Sequence, residues 1–246
     1  MKDTLFTVIS NEFLTEQVLE MRLRGDTSAI VAPGQFVNLQ LPGFYLRRPI
    51  SVADVTGDVL TIAYKVVGKG TASMSEIKIG TKLDILSGLG NGYDLTKAGE
   101  KPLLLGGGVG VPPLLWLAKK LREKDLTVDV VLGFNTAQEV FYRERFLELG
   151  CRVEVTTADG SLGTKGFVTD AALLSDRHSY FYTCGPLPML RAVYKGTGID
   201  GEFSFEERMG CGFGACMGCS QKVRGGSKRL CKDGPVLRKE EILWEN

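Results

Sequence analysis

Four of the six cysteines crowd into one glycine-rich stretch, spaced Cys211-x4-Cys216-x2-Cys219-x11-Cys231. A segment this short has little core of its own, so what the sulfurs bind constrains its fold. The opening C-x4-C-x2-C with a later cysteine matches the plant-type [2Fe–2S] spacing. Two tetrahedral irons each take two terminal thiolates. The interleaved Gly210, Gly212, Gly214 and Gly218 let backbone N–H groups turn toward sulfur. Structural zinc and disulfides are the competing readings. Zinc sites favour paired knuckles, and only Cys216 and Cys219 form one. Disulfides need an oxidising compartment. The N-terminus, MKDTLFTVISNEF, shows no apolar signal core, so the thiols read as belonging to a reducing, cytoplasmic setting. Cys151 reads as a small buried residue at a strand start.

The 246 residues suffice for about two domains of the usual ~100–200 residues. Lysine plus arginine is 30 and aspartate plus glutamate 29, a balance that argues against nucleic acid or an anionic membrane as the main partner. The longest uncharged apolar stretch, Pro102 to Ala118, is broken by glycines and prolines and is no membrane span. A lone histidine, His178, excludes His-pair chemistry. Beside Ser179 and near Asp176 it reads as a solvated loop residue rather than part of a hydrolase triad. Glycine, at 31, stands well above the ordinary share of about 7% and suggests backbone held close to ligands.

Along the chain the rhythm changes twice. Short period-two runs at Thr4–Ile9, Val18–Leu23, Gln35–Leu41, Pro49–Val52, Val59–Val67 and Lys82–Leu86 predict a small antiparallel barrel, with one helix around Ala72–Ile77. After Lys101 strands and helices alternate. Strands are predicted at Leu103–Leu105, Val128–Phe134, Arg152–Thr156 and Tyr180–Thr183. A helix carrying Leu114, Leu117, Ala118 and Leu121, a helical segment near Thr169–Leu174 and a helix Leu187–Tyr194 lie between or after them. Thr136 and Glu139 suggest a capping box opening a further helix. The expected fold class is multidomain, β then α/β: an antiparallel β-barrel over residues 1–99, a parallel α/β nucleotide-binding domain over 100–201 and a small [2Fe–2S] module over 202–246.

Two anion cradles stand out. Gly106-Gly107-Gly108-Val109-Gly110 joins the first strand of the α/β series to its helix, where glycine lets backbone approach a pyrophosphate. Cys184-Gly185-Pro186 sits at a later strand end, where ligands of such sheets gather. The barrel half carries Arg47-Arg48-Pro49-Ile50-Ser51 and Gly68-Lys69-Gly70-Thr71. An arginine grips pyrophosphate bidentately, and Gly70-Thr71 opens a helix. An ordinary turn and an exposed arginine pair would look the same in isolation.

Taken in order, RRPIS, YKVVGKGT, LLLGGGVGVPPL, CGP and CGFGACMGC resemble the ferredoxin-reductase superfamily over essentially the whole chain. The cysteine module after CGP narrows the resemblance to the electron-transfer subunits of type B dihydroorotate dehydrogenases. The resemblance implies that Arg48, Pro49, Ile50 and Ser51 form an FAD signature, with Arg48 on the pyrophosphate and Ser51 near the flavin ring. It implies that Ala63, Tyr64 and Lys65 line the flavin and that Gly70 and Thr71 hold its phosphates. Gly106, Gly107, Gly108, Val109 and Gly110 would carry the NAD pyrophosphate, with Cys184 and Gly185 near the nicotinamide. Ser51 and Cys184 are thus the expected catalytic positions, and Cys211, Cys216, Cys219 and Cys231 the cluster ligands. Many superfamily members have a flavin-stacking aromatic where Ile50 stands. Tyr64 is the candidate substitute, and Trp244, near the C-terminus, reads as packing.

NADH exchanges two electrons at once and a [2Fe–2S] cluster carries one. A flavin handles both, so FAD stands between them. No segment remains for a pyrimidine-oxidising TIM barrel of about 250 residues. The expected partner is therefore an FMN-containing dihydroorotate dehydrogenase catalytic subunit, two of each chain, passing electrons through the cluster and FAD to NAD+. The loop 133–139 offers no arginine for a 2′-phosphate, which favours NAD. Rival readings are the diaphorase-like subunit of a cytoplasmic hydrogenase, the small subunit of an NADH-dependent ferredoxin:NADP oxidoreductase, and a non-catalytic four-cysteine zinc module.

Overall fold

The computed structural model describes residues 1–244. The alternating first stretch closes on itself. β1 (Lys2–Phe13), β2 (Val18–Arg24), β3 (Phe36–Leu39), β4 (Arg48–Thr56), β5 (Val59–Lys65) and β6 (Lys82–Leu89) form an antiparallel barrel in the order β1-β2-β5-β4-β3-β6. Inward residues two apart fill it: Phe6 and Val8, Met21 and Leu23, Val37 and Leu39, Leu60 and Ile62. Pairing of β6 with β1 leaves no free sheet edge. The helix α1 (Lys69–Ser75) begins earlier than the expected Ala72. The Thr71 hydroxyl accepts the backbone N–H groups of Val67 and Gly68 and caps the first turn there.

The second half builds on β7 (Leu103–Gly107), α2 (Val111–Arg122), β8 (Asp129–Phe134), α3 (Arg143–Glu148), β9 (Arg152–Thr157), β10 (Thr164–Lys165), β11 (Phe181–Cys184), α4 (Leu187–Gly196) and β12 (Gly201–Ser204). These strands lie parallel in the order β10-β9-β8-β7-β11-β12. The chain runs outward from β7 on one side and returns to β11 on the other. The crevice at that reversal is where such sheets bind ligands. The cysteine segment follows β12. It contains the hairpin β13 (Ser220–Val223) and β14 (Gly226–Arg229), then α5 (Leu230–Asp233). It hands back to the sheet through β15 (Val236–Arg238), which pairs antiparallel with β12. The boundary expected at 201/202 falls inside β12.

Three local expectations change. The helix expected from Thr136 is a single 3-10 turn, Ala137–Glu139, without a Thr136 side-chain cap, and α3 starts only at Arg143. Glu139 turns back to accept from the Asn135 backbone and amide instead. The helical segment near Thr169–Leu174 is two 3-10 turns. The first two turns of helix α2 are buried on every side, Val111 through Ala118, and only its last turn keeps a polar face, with Lys119, Lys120 and Arg122 partly exposed. One face covers the sheet, while Trp116 joins the barrel core and Lys119 Nζ reaches Asp54 and Thr56 of β4 at 3.0 and 2.9 Å. The first helix of one domain is thereby the floor of the other. Among the described residues, no helix is long and apolar enough to cross a membrane.

Candidate functional site

β4 and β5 supply one wall of an open cavity of about 530 Å³. Arg48, Pro49, Ile50 and Ser51 line it from β4, Ala63, Tyr64 and Lys65 from β5, and Thr71 from α1. The Arg48 guanidinium lies directly over Gly70, is 4.7 Å from the Phe44 ring centroid and donates to the Leu46 carbonyl at 2.6 Å. It therefore stands at the start of α1 with its hydrogen bonds made to backbone carbonyls, those of Leu46 and Arg47. Tyr64 is nearly covered. Its hydroxyl donates to Asn11 at 2.8 Å, and burial, partly offset by that bond, pushes its pKa up to about 12. The ring belongs to the barrel wall. The opposite wall comes from the far end of the chain: Phe205, Glu206, Glu207, Arg208, Met209 and Pro235. Sequence reasoning missed these residues. Glu206 is exposed on the cavity wall, and the protein around it raises its carboxyl above the ordinary range.

Two further cavities meet at the glycine turn. One, about 350 Å³, lies over Gly107 and Gly108 between Phe134, Phe167, Pro188 and Met189. The other, about 510 Å³, lies between the barrel and the sheet, with Lys65 on one side and Gly108, Val109 and Glu139 on the other. Gly108 belongs to both, and Val109 is shared with the β4–β5 cavity. The three cavities thus form one trough.

The glycine turn divides its labour. Gly107, Gly108 and Val109 face the trough. Gly106 and Gly110 face protein: a Cβ on Gly110 would stand 2.3 Å from the Cys184 carbonyl oxygen. This contact seats the start of α2 against β11. Cys184 is 1% exposed, and burial drives its thiol pKa far above normal, with Glu206 adding to the rise. Cys184 and Gly185 lie under the trough, and Pro186 forms its surface.

The cysteine loop surrounds sulfur with backbone N–H groups. Cys211 Sγ accepts from Ala215 at 3.2 Å, Cys216 at 3.4 Å and Phe213 at 3.5 Å. Burial alone would push its thiol up, but these bonds outweigh it and bring the pKa down to about 6. The Cys231 N–H points at Cys219 Sγ at 3.4 Å, while burial and the neighbouring Cys219 push the Cys231 thiol up to about 12. Cys211 stands beside Cys216 and Cys219 beside Cys231. A donor set of four thiols in two pairs, fed by N–H groups, fits two irons with two terminal sulfurs each. Among the described residues, no group of three or more His, Cys, Asp and Glu side chains is gathered around one metal position. Cys216 is exposed and Cys219 and Cys231 are buried. Asn38 of β3 donates to the Cys211 carbonyl at 3.2 Å, anchoring the loop to the barrel.

His178 is not solvated. Its side chain is 2% exposed and Nε2 lies 2.9 Å from Asp129, which also takes Arg152. This cluster sits at the strand starts, opposite the trough. The neighbouring Ser179 hydroxyl bonds the Ala98 carbonyl instead, so no triad forms. Trp244 packs edge-on against Tyr194, Phe203 and Phe205, as its reading as a packing residue implied.

Barrel, reversing parallel sheet and the trough between them define a reductase of the ferredoxin-reductase fold with an added cysteine module. Residues 104–195 match the oxidoreductase NAD-binding domain, and residues 206–243 match the iron–sulfur cluster binding domain of dihydroorotate dehydrogenase B. The chain is 41% identical to the dihydroorotate dehydrogenase B (NAD(+)) electron transfer subunit of Fusobacterium nucleatum, over 97% of this chain and 98% of that one. It is 40% identical to the corresponding subunit of Bacillus pumilus, over 98% of each. The chain belongs to the family of dihydroorotate dehydrogenase B electron transfer subunits. Among solved structures, a chain of an NADH-dependent reduced ferredoxin–NADP oxidoreductase, described in work on flavin-based electron bifurcation, superposes with TM-score 0.89. The identity is 32%, over 97% of this chain and 90% of that one. The ferredoxin reductase of carbazole 1,9a-dioxygenase superposes at 0.70 with 25% identity, over 80% and 66%.

Proposed function

We propose that this chain carries electrons between a dihydroorotate-oxidising partner and NAD+ in pyrimidine biosynthesis, using a [2Fe–2S] cluster and FAD. The observation that carries this reading is the contiguity of the trough. The flank of the cysteine loop, Phe205 to Met209, forms a wall of the β4–β5 cavity, and Val109 joins that cavity to the dinucleotide cleft. Bound there, the flavin supplies the exchange between two-electron and one-electron chemistry. The protein's residues bind, orient and shield.

Arg48, over Gly70 at the start of α1, neutralises a diphosphate. Pro49, Ile50 and Ser51, with Ala63, Tyr64 and Lys65, shape the ring site. Thr71 spends its hydroxyl on its own helix cap, so its contribution to phosphate is backbone. Gly107, Gly108 and Val109 line the approach for the NAD diphosphate beside the start of α2, with Gly108 facing open space. Gly106, Gly110, Cys184 and Gly185 act from beneath, holding turn and strand end together. Cys211, Cys216, Cys219 and Cys231 hold the cluster, with Cys216 at the open edge facing the partner. The partner is an FMN-containing catalytic subunit, two of each chain, in the cytoplasm.

The test is co-expression with a catalytic subunit, followed by an anaerobic absorbance titration with NADH. Flavin and iron–sulfur bands that both bleach, with dihydroorotate-dependent NAD+ reduction by the pair, are expected. Protein free of flavin and iron by direct analysis would overturn the reading. The 32% likeness to the ferredoxin–NADP oxidoreductase chain favours one second reading, a different redox partner. In that case the bleaching persists, but the dihydroorotate-oxidising subunit neither co-purifies nor couples.

A further inference from the structure

One carboxylate joins the two walls of the interdomain cleft without lining it. Glu20 lies on β2 opposite Ala63 of β5 and is 8% exposed. Just before it, Glu16, Gln17 and Val18 form the barrel-side wall. The facing wall is the turn from Asn135 to Phe141, which includes Glu139, 4.0 Å from Lys65 across the gap. That turn ends at Tyr142, whose hydroxyl donates to Glu20 Oε2. Arg145, one turn into α3, grips the same carboxylate with both Nη atoms, Nη2 to Oε1 at 2.9 Å. Its guanidinium also covers the Tyr142 ring at 4.4 Å.

Tyr142 has φ +65°, in the left-handed region that a bulky side chain avoids. Such a conformation persists only where the surroundings over-determine it, and it clusters where shape matters for function. Here the over-determination comes from the other domain. Phe141, immediately before, stacks edge-on with both Phe134 and Tyr142 and faces the cleft. The clamp therefore fixes where the wall made by Phe134, Glu139 and Phe141 stands relative to the barrel.

We propose that Glu20 is a positioning residue for the nicotinamide dinucleotide. By holding the left-handed turn at Tyr142 against β2, it sets the separation of the cleft walls. The proposal rests on the nicotinamide reading of this cleft. Glu20 reaches neither the β4–β5 cavity nor the glycine turn, so its loss weakens dinucleotide binding and leaves flavin binding intact.

The test uses the reconstituted complex with Glu20→Gln and, separately, Tyr142→Phe, which removes one hydroxyl and preserves Arg145. NAD+ affinity is measured by calorimetry, alongside flavin content, melting temperature, and KM and kcat for NADH with an artificial acceptor. The Kd for NAD+ and the KM for NADH should rise about tenfold in Tyr142→Phe, which removes one charge-assisted hydrogen bond, and by at least as much in Glu20→Gln, which weakens all three on the carboxylate. Flavin content and the rate at saturating NADH should hold. A lower melting temperature with unchanged Kd in both variants would make the clamp a mere fastening and overturn the proposal. If wild-type complex failed to bind NAD+ at all, the nicotinamide reading itself would fall.

Discussion

The glycine turn at 106–110 and the cysteine loop around 211–219 are both rich in glycine, yet their glycines serve different ends. The turn is embedded in the sheet. Strand β7 lies between β8 and β11, Gly106 and Gly107 are buried in it, and Gly110 backs onto the Cys184 carbonyl. Its shape is held by protein whether or not a ligand is present. The cysteine loop leaves Cys216 exposed and Phe213 and Met217 about half exposed, at 45% and 55%. Four of its backbone N–H groups point at sulfur, while Asn38 and Arg229 hold the Cys211 and Gly214 carbonyls. One segment is a rigid seat that waits for its ligand, and the other is built around what its sulfurs bind.

The largest effect that distinguishes the two is expected from Cys216→Ser. Removing the exposed thiol should reduce NAD-linked turnover of the complex to background while the flavin absorbance remains. Surviving turnover would show that the loop is not on the electron route. In the turn, Gly110→Ala should destabilise the chain by about 3 kcal/mol or more, because the Cys184–Gly185 backbone that a Cβ would meet cannot yield to it. Gly108→Ala, which meets open space but has φ +52°, should cost only about 1–2 kcal/mol. Melting temperatures of the two variants settle the order. If Gly110→Ala were the milder, the seat would be softer than its contacts imply.

A smaller effect tests the strand that links the two regions. Glu202 of β12 is buried and accepts the Asp94 N–H at 2.9 Å, and burial pushes its carboxyl up to about 7. A raised carboxyl contributes stability that is full below its unfolded value near 4.5 and is lost as pH rises through 7. Glu202→Gln keeps an acceptor for Asp94 and removes the charge. It should therefore stabilise the protein at pH 8 by about 1–3 kcal/mol and make no such gain at pH 4.5. Parallel melting curves for both proteins at both pH values would contradict this.

The barrel was legible because its core is local in pattern. Phe6/Val8, Met21/Leu23 and Leu60/Ile62 repeat at period two, which no helix can use. The glycine turn was legible from its place between a strand and a helix, and the cysteine loop from its spacing. The helix expected at Thr136 was not legible. Glu139 satisfies the Asn135 N–H groups by turning back, and the Ala137 N–H is taken by the Ser161 hydroxyl, 24 residues away. His178 looked solvated because Asp129, its partner, lies 49 residues away.

By itself the sequence determined the succession of barrel, parallel sheet and cysteine module, together with the family and the four thiols. Those follow from periodicity, turn chemistry and spacing, which act between near neighbours in the chain. Only the tertiary structure decided which glycines face the trough and which face Cys184. It alone brought Phe205–Met209 to the flavin-side cavity, buried the first two turns of α2 on every side and joined Glu20 to Tyr142 and Arg145. Those arrangements depend on burial and on charges paired across more than a hundred residues, as with Glu20 and Arg145, 125 apart. Such pairing leaves no periodic trace in the chain, because its energy arises only once the two domains have folded and met.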